Sequence, residues 1–199
     1  MKRAFLIVTL ILIADQALKI WIKTHMFLGE SIPVFGDWFI VHFTENEGMA
    51  FGMELGGNWG KLLLSLFRLV AIAALIWWLY RLTRKKVKTG LVVCIALIIA
   101  GAAGNVIDCA FYGMIFNEST FSQVASFFPE GGGYAPFLHG KVVDMLYFPL
   151  IQGNYPSWFP VVGGEEFIFF RPVFNIADSA ITIGVLTLVI FQGKLFPKK

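Results

Sequence analysis

The chain has 199 residues, of which 57% are hydrophobic and only 15% charged, and its mean hydropathy is +0.73. This composition excludes an ordinary soluble domain, because a water-facing surface needs more charge than this. The net charge of +3 is not gathered into a basic patch with interleaved aromatic residues, so nothing indicates nucleic-acid binding. We therefore predict a membrane protein.

Four apolar segments are long enough to cross roughly 30 Å of hydrocarbon at about 20 residues each. Their approximate bounds are 4–22, 62–80, 90–107 and 174–191. Basic residues precede the first segment, join the second to the third and follow the fourth, so the positive-inside rule puts both termini in the cytoplasm. The first segment could be taken for a cleavable signal peptide, but no small-x-small cleavage site follows it. We expect one polytopic membrane domain over residues 1–199.

Two segments between these helices are expected on the extracytoplasmic side. Residues 31–52 mix β-forming residues with turn residues, which predicts a small β-rich subdomain. A long loop follows the third helix, with an insertion at about 112–140 that is rich in glycine and aromatic residues. The predicted fold class is thus a membrane all-α protein with four transmembrane helices, a small β-rich extracytoplasmic subdomain and a long extracytoplasmic loop.

The histidines and cysteines do not indicate a metal site or a disulfide framework. Cys94 and Cys109 stand on one predicted helix, about 22 Å apart at about 1.5 Å per residue, which is far beyond disulfide reach. His25, His42 and His139 show no paired metal-ligand spacing. We predict neither a metal nor a cofactor.

Two charged residues of the first helix are four positions apart. Asp15 precedes Lys19, so the two side chains share one helical face and neutralise each other. They are either a structural ion pair near the outer interface or a polar wall beside a catalytic centre.

The outer ends of the third and fourth helices carry the same small pattern. Asn105 and Asp108, and again Asn175 and Asp178, stand three apart, so each pair presents an amide and a carboxylate on one face. On its own Asp178 is equally explained as the N-cap of the fourth helix, where an acid suits the helix dipole.

A third acid favours a functional site over a purely structural role for these residues. Asp144 lies between apolar residues in GKVVDMLYF, which is unusual chemistry for a loop. Two carboxylates brought together where water is scarce share one proton, and such a pair works as base and acid together. The same acids would also serve a small proton-coupled transporter, although the acids cluster at one end of the helices. A scaffold whose acids only cap helices is a third interpretation.

Five short segments, in order along the chain, resemble motifs of one family. They are DQALK (15–19), NEGMAF (46–51), GNVID (104–108), KVVDML (141–146) and FNIADSAITIG (174–184). The chain resembles the lipoprotein signal peptidases, or signal peptidase II, which are aspartyl proteases of the bacterial inner membrane. The resemblance implies that Asp144 and Asp178 form the catalytic dyad. It implies supporting roles for a larger polar set: Asn46, Asn105, Asp108, Asn175, Asp15 and Lys19.

The resemblance also implies the substrate and the setting. The substrate would be a prolipoprotein whose cysteine already carries diacylglycerol, cut just before that cysteine, at an active site on the periplasmic side of the inner membrane. Membrane lipids would be the surrounding partners, and we expect a monomer with no nucleic-acid partner.

Two departures from the family pattern stand out. Family members usually have arginine directly after the third-helix aspartate, where this chain has Cys109, so another cation is expected to replace it, with Arg171 or Lys141 as candidates. The connections before Asp144 and from Asp144 to Asp178 are also longer than usual, although both aspartate segments are intact.

Overall fold

The computed structural model describes residues 1–47, 57–85 and 87–196. Its helices are α1 (Lys2–His25), α2 (Gly57–Thr83), α3 (Thr89–Ile107), α4 (Gly113–Ile115), α5 (Ile176–Ile190) and α6 (Gln192–Leu195). Its strands are β1 (Ser31–Phe35), β2 (Phe39–Asn46), β3 (Val142–Tyr147), β4 (Ile151–Asn154), β5 (Glu166–Phe169) and β6 (Val173–Phe174). Positions 48–52 of the predicted β-rich segment lie outside the described residues.

Among the described residues, three helical stretches are long and apolar enough to cross a membrane: Lys2–His25, Trp59–Thr83 and Thr89–Ile115. The third runs further than the predicted end at residue 107, because a π-helical turn at Asp108–Tyr112 joins α3 to α4. The predicted fourth segment is shorter than expected. Its helix α5 has 15 residues, about 22 Å at 1.5 Å per residue, because Phe174 belongs to strand β6 instead.

Helix α3 lies at the centre and packs against α1, α2 and α5. Its small residues allow this approach: a Cβ atom on Gly101 would stand 2.1 Å from the carbonyl oxygen of Ala177 in α5. A Cβ on Gly104 would stand 2.8 Å from a carboxylate oxygen of Asp15 in α1. The glycines therefore bring the first turn of α5 and the middle of α1 against the end of α3.

The main sheet is antiparallel with the strand order β1-β2-β3-β6. A register irregularity interrupts the pairing of β2 with β3 between Val41 and Thr44, after which Thr44 pairs with Asp144 and Glu45 with Val143. Because side chains alternate along a strand, Asp144 lies on one face of the sheet and Val143 on the other.

The face of the sheet opposite Asp144 packs on a buried apolar core. Phe43, Val143 and Met145 pack there with Ile22 of α1 and with Phe116, all of them fully buried. The predicted insertion at 112–140 therefore starts as the end of a helix and continues behind the sheet.

The chain between β3 and α5 leaves the sheet and returns to it at adjacent positions. Tyr147 of β3 pairs with Val173 of β6, and Leu146 pairs with Phe174. The residues in between carry the separate hairpin β4–β5. The pairing of β3 with β6 thus brings Asp144 close to the start of α5.

Candidate active site

Helix α5 begins at Asn175 with a capping box. The Asn175 side chain accepts a hydrogen bond from the backbone N–H of Asp178 at 2.8 Å, and the Asp178 carboxylate accepts one from the backbone N–H of Asn175 at 3.4 Å. The N-cap is thus Asn175 and not Asp178, which the sequence alone suggested, and Asp178 completes the capping box from the third position of the helix. The capping box also fixes the rotamer of the Asp178 carboxylate. A capping role is therefore compatible with a chemical role of the same side chain.

The amide of Asn175 connects the two aspartate segments. Its Nδ2 donates to Asp144 Oδ1 at 2.7 Å, to Asn105 Oδ1 at 3.1 Å and to the carbonyl oxygen of Val143 at 3.3 Å. Asn175 itself is fully buried. One side chain therefore caps the helix that carries Asp178 and holds Asp144 of β3 in place.

Asp144 is almost completely buried, and both of its carboxylate oxygens accept hydrogen bonds. Asn175 donates to Oδ1, and Asn46 at the end of β2 donates to Oδ2. Burial, and after it the negative charge of Asp178, raise the pKa of Asp144 to about 7, while Lys19 and the two amides act in the opposite direction. Asp144 is thus poised to hold a proton near neutral pH.

Asp178 is held from the side of α3. Its Oδ1 accepts a hydrogen bond from Asn105 Nδ2 at 2.8 Å, and Asn105 Oδ1 accepts from Lys19 Nζ at 2.9 Å. The polar residues of α3 and α5 that the sequence predicts together therefore do meet in the structure.

Lys19 is a fully buried cation between two carboxylates. Its Nζ lies 3.0 Å from Asp15 Oδ2 and 2.6 Å from Asp108 Oδ2. The two acids are also anchored to the sheet and to α5: Asp108 accepts from the backbone N–H of Val143 at 3.4 Å, and Asp15 from that of Ala177 at 2.9 Å. Of the two interpretations of the Asp15–Lys19 pair, the structure favours the polar wall beside the site.

Sequence reasoning missed Gln16 as a site residue. Its Nε2 donates to Asp108 Oδ1 at 2.9 Å, and its Oε1 accepts from the Tyr112 hydroxyl at 3.1 Å. The only available signal was its place inside the DQALK segment. Tyr112 belongs to the π-helical turn, which no pattern in the sequence indicates.

The cation nearest Cys109 is neither of the predicted ones. Arg68 of α2 places Nη1 3.9 Å from the Cys109 sulfur. Lys141 instead pairs with Glu118 at 3.1 Å, and Arg171 is exposed. Arg68 was not among the predicted cations, because it lies far from the aspartates in sequence and comes close only through the packing of α2 on α3.

Within residues 1–47, 57–85 and 87–196, no group of three or more histidine, cysteine or acidic residues is arranged to hold a metal ion. The chemistry that the arrangement offers is that of two acids. One carboxylate has a raised pKa, the other lies at a helix N-terminus, and a single buried amide bridges the two segments.

A family model described as signal peptidase (SPase) II matches residues 7–193. The chain belongs to the signal peptidase II family. It is therefore an enzyme of the signal peptidase class, and the family gives no support to the transporter interpretation.

Similar curated proteins carry the same name. The lipoprotein signal peptidase of Porphyromonas gingivalis is 55% identical over 185 residues, which cover 92% of this chain and 80% of that protein. The lipoprotein signal peptidase of Amoebophilus asiaticus is 36% identical over 187 residues, covering 92% and 75% of the two chains.

Solved structures of similar fold come from bacterial membrane enzymes. Two structures described as a bacterial membrane enzyme studied by the in meso method superpose with TM-scores of 0.62 and 0.63 at 23% and 25% identity. They cover 100% and 98% of this chain, and the chain covers 94% of each. The small antiparallel sheet and the long apolar helices thus belong to the architecture of a membrane enzyme.

Proposed function

We propose that this signal peptidase cleaves diacylglyceryl-modified prolipoproteins just before the lipidated cysteine, with Asp144 and Asp178 as the catalytic dyad. The observation that carries the proposal is the buried Asn175 amide, which holds Asp144 while its backbone and side chain cap the helix of Asp178. Two carboxylates fixed in this way share a proton and supply a base and an acid at one place.

The two acids have different roles. We assign Asp144, whose pKa burial raises to about 7, as the proton donor, and Asp178, which lies in the first turn of α5, as the base. Asp178 removes a proton from water as the water oxygen attacks the scissile carbonyl carbon, and the Asp144 proton hydrogen-bonds the developing oxyanion. When the C–N bond breaks, the proton held by Asp178 passes to the leaving amine of the lipidated cysteine, and the signal peptide leaves as a carboxylic acid.

The remaining polar residues orient the dyad. Asn46 supports Asp144 and Asn105 supports Asp178, each by one side-chain hydrogen bond. Lys19, neutralised by Asp15 and Asp108, holds Asn105 in turn. These residues set the geometry and the charge of the site and form no bond to substrate.

We further propose four membrane crossings, with both termini in the cytoplasm of a bacterium and the dyad at the periplasmic face of its inner membrane. The basic residues at positions 2–3, 81–88 and 194–199 support this orientation. Helix α5 has 15 residues, and after Phe191 the short helix α6 continues the chain to Leu195, which supports the fourth crossing. Acyl chains in the outer leaflet would then hold a lipidated cysteine beside the dyad, and a monomer suffices for this reaction.

The test is cleavage of a purified prolipoprotein with and without the diacylglyceryl group. We expect cleavage of the lipidated form only, and loss of cleavage by at least about a thousandfold in Asp144→Asn and in Asp178→Asn. Asp37→Asn, at an exposed position in the turn between β1 and β2, is the matched control and should cleave normally. Full cleavage by either dyad variant would refute the assignment of the dyad, and equal cleavage of both substrates would refute the lipid requirement.

A further inference from the structure

A second buried ion pair lies apart from the dyad. Lys23, in the last turn of α1, is fully buried and forms a salt bridge with Glu45 of β2. Ser119 completes the cluster: its hydroxyl accepts from Lys23 Nζ at 2.8 Å and lies 3.0 Å from Glu45 Oε1. The rings of Phe116 and Tyr134 lie 5.5 Å and 5.1 Å from Lys23 Nζ.

This cluster joins three segments behind the sheet. Lys23 belongs to α1, Glu45 to β2, and Ser119 to the segment that follows α4. The backbone carbonyl of Lys23 also accepts a hydrogen bond from the N–H of Ala125 at 3.0 Å. The cluster therefore ties the first membrane span to the sheet through the long outer segment.

Glu45 is directly bonded to Asn46, the residue that donates to Asp144. The two side chains point to opposite faces of the sheet, so Glu45 reaches the cluster while Asn46 reaches the dyad. The pairing of β2 with β3 is irregular between Val41 and Thr44. Regular pairing resumes at Thr44, and Asn46 is the last residue of β2, opposite Val142. The contacts of Glu45 thus add a side-chain restraint to backbone pairing at the end of the strand.

The energetics of buried ion pairs agree with a positioning role. Desolvation of two charges offsets most of their attraction, so such a pair adds little net stability compared with apolar residues of similar size. Removal of one partner alone is costly, because the other charge remains buried. A pair of this kind fixes one geometry rather than increasing the free energy of unfolding.

We propose that Lys23, Glu45 and Ser119 are positioning residues, which fix the end of β2 so that the Asn46 amide stays on Asp144. The proposal rests on the assignment of Asp144 to the dyad. It gives the outer segment after α4 a definite role, as a brace behind the catalytic sheet.

The decisive variant removes both charges, Lys23→Met together with Glu45→Met, so that no charge is left unpaired. We expect a folded protein with thermal stability close to that of the unchanged protein, a KM within about twofold, and a kcat lower by about tenfold, as for loss of one hydrogen bond to a charged group. The matched control is Gln123→Met with Glu130→Met, two exposed positions of the same outer segment, and it should change neither constant.

The pH profile separates positioning from a general loss of structure. The ionisable groups that act on Asp144 are Asp178 from α5 and Lys19 from α1, and the Asn46 amide favours its ionised form. Those that act on Lys23, besides Glu45, are Lys141 and Asp108. If Asn46 is displaced, the high-pH limb of the kcat profile moves to higher pH in the double variant, and it does not move in the control.

Two further variants keep the test decisive if the double variant does not fold. Lys23→Arg keeps the charge but changes the donor geometry, and Ser119→Ala removes one hydroxyl. Each should lower kcat in the same direction by a smaller factor, and neither should have an effect when Asn46 is already alanine. Unchanged kcat and pH profile in the folded variants would overturn the proposal. Cleavage by Asp144→Asn would instead refute the dyad, which is measured separately.

Discussion

Asn175 serves the helix and the dyad with different atoms. Its oxygen accepts from the backbone of Asp178, and its Nδ2 donates to Asp144. The two uses are chemically separable, since a hydroxyl can replace the capping oxygen but cannot reproduce the amide bridge.

Asn175→Ser should therefore keep the cap and lose the bridge. We expect its thermal stability to stay close to that of the unchanged protein, while kcat falls by about tenfold or more. Asn175→Ala loses both functions, and its free energy of unfolding should fall further, by about 1 kcal/mol. Thermal unfolding in detergent and steady-state cleavage measure the two effects. Equal stability losses in both variants would contradict the separation.

Asn46 is expected to control the pH dependence of cleavage. Its hydrogen bond stabilises the ionised form of Asp144, so Asn46→Ala raises the pKa of Asp144 above about 7. Because Asp144 must be protonated, activity falls as pH rises through this pKa, and in the variant that fall moves to higher pH. A kcat profile between pH 5 and 9 measures the shift, and Asn154→Ala, at an exposed position of β4, is the control. A shift to lower pH would contradict the assigned role.

At the scale of elements, the close contact of α3 with α5 sets the position of Asp178. A Cβ on Gly101 would meet both the Ala177 carbonyl oxygen, at 2.1 Å, and Ile181 Cγ1, at 2.6 Å. The first of these atoms is backbone in the first turn of α5, so a larger residue displaces the turn that carries Asp178.

Gly101→Ala should accordingly destabilise the protein by about 1–3 kcal/mol and lower kcat. Gly131→Ala is the matched control, since a Cβ there meets no atom within 4 Å. Thermal unfolding and cleavage of the lipidated substrate measure both effects. Wild-type activity in Gly101→Ala would show that the dyad tolerates movement of α5.

The sequence predicts the presence of the helices better than the residues at which they begin and end. Apolar runs locate the three long helices and the shorter α5, but Phe174 extends the last run although it pairs with Leu146 in the sheet. The third helix passes its predicted end because apolar residues continue beyond Asp108 through the π-helical turn. In both cases a long-range contact or a local backbone change decides the boundary, and hydropathy reports neither.

The sequence predicts only those residues of the site that lie together in a short motif. The spacing of Asn105 with Asp108 and of Asn175 with Asp178 indicates one face, and the structure brings these faces together. Arg68 and the Lys23–Glu45–Ser119 cluster were not predicted, because their partners lie on other elements far along the chain. The assignment of the dyad came from family resemblance, not from spacing.

For the whole molecule, the proposed topology makes a labelling prediction. Both native cysteines are buried, so introduced cysteines can be read against a low background. In intact cells a membrane-impermeant maleimide should label Ser122→Cys, in the outer segment, and should label Arg84→Cys and Gln192→Cys only after permeabilisation. All three positions are exposed in the structure. Labelling of Gln192→Cys in intact cells would show that α5 does not complete a fourth crossing.

The pairing of β3 with β6 makes the connection between these two strands tolerant of changes in length. Tyr147 and Val173 lie opposite each other, so everything between them forms a loop that is closed at its base. Lengthening a loop that is already closed costs little, about 0.6 kcal/mol for each doubling of its length. The stretch between Tyr147 and Val173 can therefore be longer, shorter or replaced by another hairpin at little cost in stability, while β3 and β6 keep Asp144 near the start of α5.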